Sequence, residues 1–79
     1  MRVIGTKVQG HCTITFFHWN NRFLIKLESG PFEQTYKIEE YNLSGESDLD
    51  KIVDDTFINQ AMLRFDEMAN SLAMAVDKL

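Results

Sequence analysis

Of the 79 residues only one is cysteine, one is proline and four are glycine. A lone Cys12 excludes an intrachain disulfide, and with it the stapled secreted scaffolds common at this size. So little proline and glycine leaves no room for a long linker or disordered tract. Long apolar runs are missing too. The longest, Leu72-Ala-Met-Ala-Val76, is far short of the ~20 residues a membrane helix needs. No basic segment leads into an apolar stretch as in a signal peptide, and neither end carries a lipidation signal. The expectation is a cytoplasmic protein with no membrane partner. Excess positive charge is also absent: the net charge is −4, which argues against broad polyanion binding. The balance is uneven, since residues 1–41 hold five Lys/Arg against four Asp/Glu and residues 42–79 hold three against eight. An anion would have to dock on the first half.

What is present is an ordinary globular composition, 44% hydrophobic and 25% charged. The length implies one domain, residues 1–79, near the size at which one core barely suffices. The stretch from His11 to Glu28 reads as a hairpin around Asn20-Asn21, because Asn tolerates the positive φ of a type I′ turn. A two-residue loop pairs Trp19 with Arg22, His18 with Phe23, and so on to Ile14 with Leu27. Directly opposed residues share a face. Cys12, Ile14, Phe16, His18, Phe23, Ile25 and Leu27 form a core face. Thr13, Thr15, Phe17, Trp19, Arg22, Leu24, Lys26 and Glu28 form the other.

Strands are expected at about 2–8, 11–19, 22–28 and 32–40. The first is followed by a turn at Gln9-Gly10, where a three-residue loop is preferred because it puts Ile4, Thr6 and Val8 on the core face; a two-residue loop would put Ile4 and Val8 beside Phe17 and Trp19. In the fourth, Phe32, Gln34, Tyr36 and Ile38 alternate with Glu33, Thr35, Lys37 and Glu39. There Phe32 is expected opposite Leu27 and Glu33 opposite Lys26. Ser47 with Asp50 three residues on suggests a capping box, and a helical region runs from about 48 to 78. Its apolar stripes, Leu49/Ile52/Val53 and Ala61/Phe65/Met68/Leu72/Val76/Leu79, differ in phase by about 140°. Either the helix kinks near Asp54-Asp55-Thr56, with Thr56 or Asp55 as a new cap, or the stripes face different partners. The fold expected is α+β and two-layered, a four-stranded antiparallel meander followed by a long or kinked C-terminal helix.

Catalytic chemistry finds little support. Cys12 and His11 are strand neighbours pointing to opposite faces. His18 shares the face of Cys12 but lies roughly 20 Å along the strand. Neither pairing activates the thiol, and the three residues do not converge as metal ligands. The acidic positions Glu46, Asp48, Asp50, Asp54 and Asp55 lack the central glycine and terminal glutamate of a calcium loop. No phosphate-cradling glycine loop and no nucleophile elbow occur. The reading is no enzyme, no cofactor, no catalytic residue and no metal.

The second sheet face is what remains. Phe17, Trp19 and Leu24 make an apolar patch flanked by Arg22, Lys26 and Lys37. Such a face can be covered by the helix or by another copy, or it can act as a stacking platform for single strands. The meander with its C-terminal helix resembles in layout the single-strand-binding positive cofactors, with none of their motifs. The favoured function is a small interaction module acting through Phe17, Trp19, Arg22, Leu24 and Lys26, or through a helix in a homodimer. Met62, Phe65, Met68, Leu72 and Val76 are the helix candidates, and a protein partner is preferred. A single-stranded nucleic-acid-binding protein is the alternative.

Overall fold

The computed structural model describes residues 1–79 and contains four strands, β1 (Arg2–Gln9), β2 (Cys12–Trp19), β3 (Arg22–Ser29) and β4 (Phe32–Glu39). A 3-10 turn at Glu40–Asn42 leads to α1 (Asp48–Ile52) and α2 (Asp55–Val76). The strands form one antiparallel sheet in the order β1-β2-β3-β4, a simple meander. Each connection is a two-residue loop. Asn20 and Asn21 both have positive φ, 54° and 61°, as a type I′ turn requires. Gly10 (φ 61°) and Gly30 (φ 59°) take the first position of the other two, where a side chain would be strained.

The β2–β3 pairing follows the hairpin reading, from Trp19 opposite Arg22 to Ile14 opposite Leu27. The other two junctions differ from expectation. In β1 the loop is Gly10-His11, so Gln9 pairs with Cys12, Val8 with Thr13 and Thr6 with Thr15. Thr6 and Val8 therefore lie on the outer face. A bulge between Val3 and Gly5 shifts the pairing, and Ile4 packs against the core after all. In β4 the tight Gly30-Pro31 loop sets Ser29 opposite Phe32, Leu27 opposite Gln34 and Glu28 opposite Glu33. The offset from the expected pairing is two residues, so every side chain keeps its face. Lys26 now meets Glu33 diagonally, at 3.1 Å.

Both helices cover the same sheet face, giving two layers. Cys12, Ile14, Phe16, Phe23, Ile25 and Leu27 meet Leu49, Val53, Ile58, Ala61 and Phe65 in a single buried cluster. The out-of-phase stripes are resolved by a break at Val53 and Asp54, which lets α1 and α2 turn their apolar sides to one sheet. Asp54, rather than Asp55 or Thr56, caps α2: its carboxylate accepts a hydrogen bond from the Phe57 N–H at 2.8 Å. Ser47 precedes α1 but its side chain makes no cap bond. The expected capping box is replaced by Asp48, which accepts from the Ser44 N–H (2.9 Å) and hydroxyl (2.8 Å). These bonds hold the Asp48 carboxyl below its ordinary range, the backbone donor first.

Lys7 and Gln9 also point to the helix side. Lys7 Nζ donates to the Val53 carbonyl at 3.0 Å, placing a cation where α1 ends. Gln9 Nε2 donates to Asp55 Oδ1 at 3.3 Å, where α2 begins. From there α2 crosses the sheet towards β4, where the Gln34 amide donates to the Ala61 carbonyl at 2.9 Å. It does not stop at the sheet edge. The Cα radius of gyration is 14.3 Å, against about 12 Å for a compact chain of this length. The excess reflects the last turns of α2, which project beyond β4.

Candidate interaction surfaces

Two surfaces stand open. The first is the outer sheet face, which neither helix covers. It carries Val3, Thr6 and Val8 from β1, and Thr13, Thr15, Phe17 and Trp19 from β2. β3 adds Arg22, Leu24, Lys26 and Glu28, and β4 adds Glu33, Thr35, Lys37 and Glu39. The structure brings Phe17, Trp19 and Leu24 together with Val3, which the sequence reading had not placed there. Leu24 is buried at the centre of this patch, whereas Trp19 is 45% exposed. The cations are mostly spoken for. Arg22 Nε lies 3.0 Å from Glu39 Oε1, and Lys26 Nζ lies 3.1 Å from Glu33 and 4.0 Å from Glu28. The hydrogen bond to Glu33, reinforced by both carboxylate charges, raises the Lys26 pKa above its ordinary value. Lys37 makes no ion pair.

The second surface lies where α2 overhangs β4. An apolar-floored groove of about 840 Å³ runs between Phe32 and Tyr36 on the strand and Met68 and Leu72 on the helix. Its polar wall is fixed by a small network. Arg64 donates to Gln34 Oε1 at 2.9 Å and to the Tyr36 hydroxyl at 2.8 Å. Tyr36 in turn donates to Gln34 Oε1 at 3.3 Å, and its ring meets Phe57 edge-on at 5.2 Å. Gln34 and Arg64 were not singled out in the sequence. Their only signal there was a polar residue at an inward strand position and a cation beside the apolar helix stripe.

Among the helix candidates, Phe65 is buried in the core and cannot face a partner. Met62 and Met68 pack partly against that core. Leu72 and Val76 continue the stripe but are half exposed, at 49% and 51%, because no sheet remains beneath them. One stripe thus has two fates.

No family model, no curated protein and no solved structure matches this chain. Its surfaces must be read from their own chemistry.

The residues capable of nucleophilic or metal chemistry are dispersed. Cys12 is fully buried, and burial pushes its thiol pKa up, against a weaker lowering by a backbone hydrogen bond at Glu28. Such a thiol is a poor nucleophile. His18 packs its ring on Phe23 at 5.0 Å. Its Nε2 lies 3.2 Å from Glu40 Oε1, close enough for attraction but without hydrogen-bond alignment. No three His, Cys, Asp or Glu side chains gather where they could hold a metal ion. No helix is long and apolar enough to cross a membrane.

Proposed function

We propose that this protein is a non-catalytic interaction module whose working form is a homodimer assembled along the free end of α2. The observation that carries this reading is the continuity of one apolar stripe, from buried Ala61 and Phe65 through Met68 to exposed Leu72 and Val76. Helical turns without tertiary packing are marginal in water. The 22-residue α2 nevertheless runs on past the sheet, so its last turns call for a surface the single chain lacks. The small core points the same way: only 12 of 79 residues are buried, and a domain of this size gains much from a second copy. A second copy is the occupant of choice because the groove and the stripe that would fill it are both apolar and lie side by side, as a two-fold contact demands.

The nucleic-acid reading is opposed by charge. Counterion release needs unpaired cations, and Arg22 and Lys26 are held by Glu39 and Glu33.

Sedimentation equilibrium tests the proposal. The wild type should show twice the 9.2 kDa chain mass at micromolar concentration. Leu72→Glu with Val76→Glu should remain folded by circular dichroism and sediment as a monomer. A wild-type monomer at high micromolar concentration would overturn it. Titration with a single-stranded oligonucleotide should leave Trp19 fluorescence unchanged; salt-sensitive quenching would favour the stacking platform instead.

A further inference from the structure

We propose that the two copies join edge to edge, β4 against the partner's β4, antiparallel about a two-fold axis at Thr35, with Lys37 of each chain opposite the partner's Glu33. This rests on the self-association reading above and specifies its geometry.

The meander leaves two edges, β1 and β4. Edge strands are normally protected by bulges, inward charges or covering segments. β1 has such protection: it is bulged between Val3 and Gly5, and Lys7 and Gln9 reach inward to the helices. β4 has no bulge and no inward charge, and the α2 overhang lies against its helix-side face. It pairs with β3 without irregularity over all eight residues. Its edge protection is the charge of Glu33, Lys37 and Glu39, which a copy of matching charge can satisfy.

Strand chemistry then selects the pairing. The Ser29–Phe32 pair closes a two-residue turn, so the Phe32 N–H points towards β3. The Glu40 N–H, of the same parity, bonds the Asn21 carbonyl at 3.0 Å, on the β3 side. Backbone groups alternate direction along an antiparallel strand. Those of Glu33, Thr35, Lys37 and Glu39 therefore face the open edge, and their side chains lie on the outer sheet face. A two-fold pairing must match these odd-numbered residues with one another. The possible axes differ sharply in the charges they oppose. An axis at Glu33 opposes two carboxylates, and one at Lys37 opposes two ammonium groups. An axis at Tyr36 sets Glu33 against the partner's Glu39. An axis at Gln34 leaves Lys37 facing the partner's Pro31. An axis at Ile38 sets each Lys37 against the partner's Glu39, a carboxylate already held by Arg22. The axis at Thr35 sets each Lys37 against the partner's Glu33, twice, with Thr35 facing its own copy and Glu39 facing the partner's Pro31.

The local charge balance fits that choice. Within one chain Glu28 and Glu33 sit directly opposite each other and share the single ammonium of Lys26, while Lys37 has no acidic partner. The second copy supplies the missing cation at the site of the surplus carboxylate. The same arrangement places the α2 overhang, about 12 Å for residues 69–76 at helical rise, over the partner's half of the joined sheet. The product is one continuous eight-stranded sheet.

Charge reversal tests this on the exposed side chains Lys37, which has no pair within the chain, and Glu33, which pairs with Lys26, with circular dichroism checking that each variant stays folded. Sedimentation equilibrium should show Lys37→Glu weakening the dimer by about tenfold or more, since two attractive cross-strand pairs become repulsive. Glu33→Lys should weaken it comparably. Glu33→Lys combined with Lys37→Glu rebuilds both pairs in reverse and should recover most of the wild-type affinity. A dimer indifferent to the single reversals, or a double variant as weak as either single, would overturn the β4 pairing and leave the α2 dimer standing. A wild-type monomer would end both.

Discussion

Phe65→Ala and Leu72→Ala remove side chains from one helical stripe, yet the structure assigns them different behaviour. Phe65 is 4% exposed and packs in the sheet–helix core. Its truncation leaves a cavity and should cost about 3–5 kcal/mol. A chain of this length has roughly 4–12 kcal/mol of total stability, so the variant should lose from about a quarter to all of it. Leu72 is 49% exposed within one chain. About half of a full leucine burial, or ~1 kcal/mol, is at stake there before association. In the proposed dimer the side chain would be buried further and lost from both copies, so the cost per dimer should reach about 2–4 kcal/mol. Urea unfolding followed by circular dichroism, at two concentrations a hundredfold apart, separates the cases. Hundredfold dilution should lower wild-type dimer stability by about 2.7 kcal/mol and pull the midpoint down. Leu72→Ala should lose most of that concentration dependence while keeping a cooperative transition. A wild-type midpoint that ignores concentration would refute the reasoning, as would a Leu72→Ala deficit of equal size in the monomeric limit.

Capping offers an independent check on the helix break. Asp54→Ala should cost about 1 kcal/mol by thermal or urea unfolding, whereas Ser47→Ala should be near neutral because its side chain caps nothing. The bulge in β1 makes Ile4→Ala more damaging than Val8→Ala, since Ile4 packs on the core and Val8 is exposed; equal losses would mean the bulge is misplaced. For pH, Asp48 has a folded pKa below its unfolded one. Its contribution is therefore present above the unfolded value and lost as pH falls through the folded value, so Asp48→Asn should flatten the acid limb of a stability-versus-pH curve. Lys26 has a raised folded pKa; its contribution holds below the unfolded value and disappears as pH rises through the folded one, and Lys26→Met should flatten the alkaline limb.

Alternation and turn chemistry made most of the sheet legible. Asn20-Asn21 defined the central hairpin, and the period of two sorted β2, β3 and β4 onto their faces whichever pairing β4 adopted. Local sequence decides these features because they depend on backbone sterics at a turn and on the pleat of a strand. Helical periodicity likewise showed two stripes out of phase and hence a break or a second partner. What sequence could not decide was anything set by competition between distant segments. Turn chemistry left open whether the first turn, expected at Gln9-Gly10, closed in two residues or three; the observed loop is Gly10-His11, and no turn rule foretells the bulge that returns Ile4 to the core. Asp54, Asp55 and Thr56 are all competent caps, and only the folded chain shows that Asp54 takes the Phe57 N–H. The neutralisation of Arg22 and Lys26 required Glu39 and Glu33 to arrive from the next strand. Above all, one unbroken stripe in the sequence, Ala61 to Val76, became core at one end and open surface at the other. A helical wheel records direction around an axis and not where a sheet ends; the width of four strands, fixed only when they assemble, made that division.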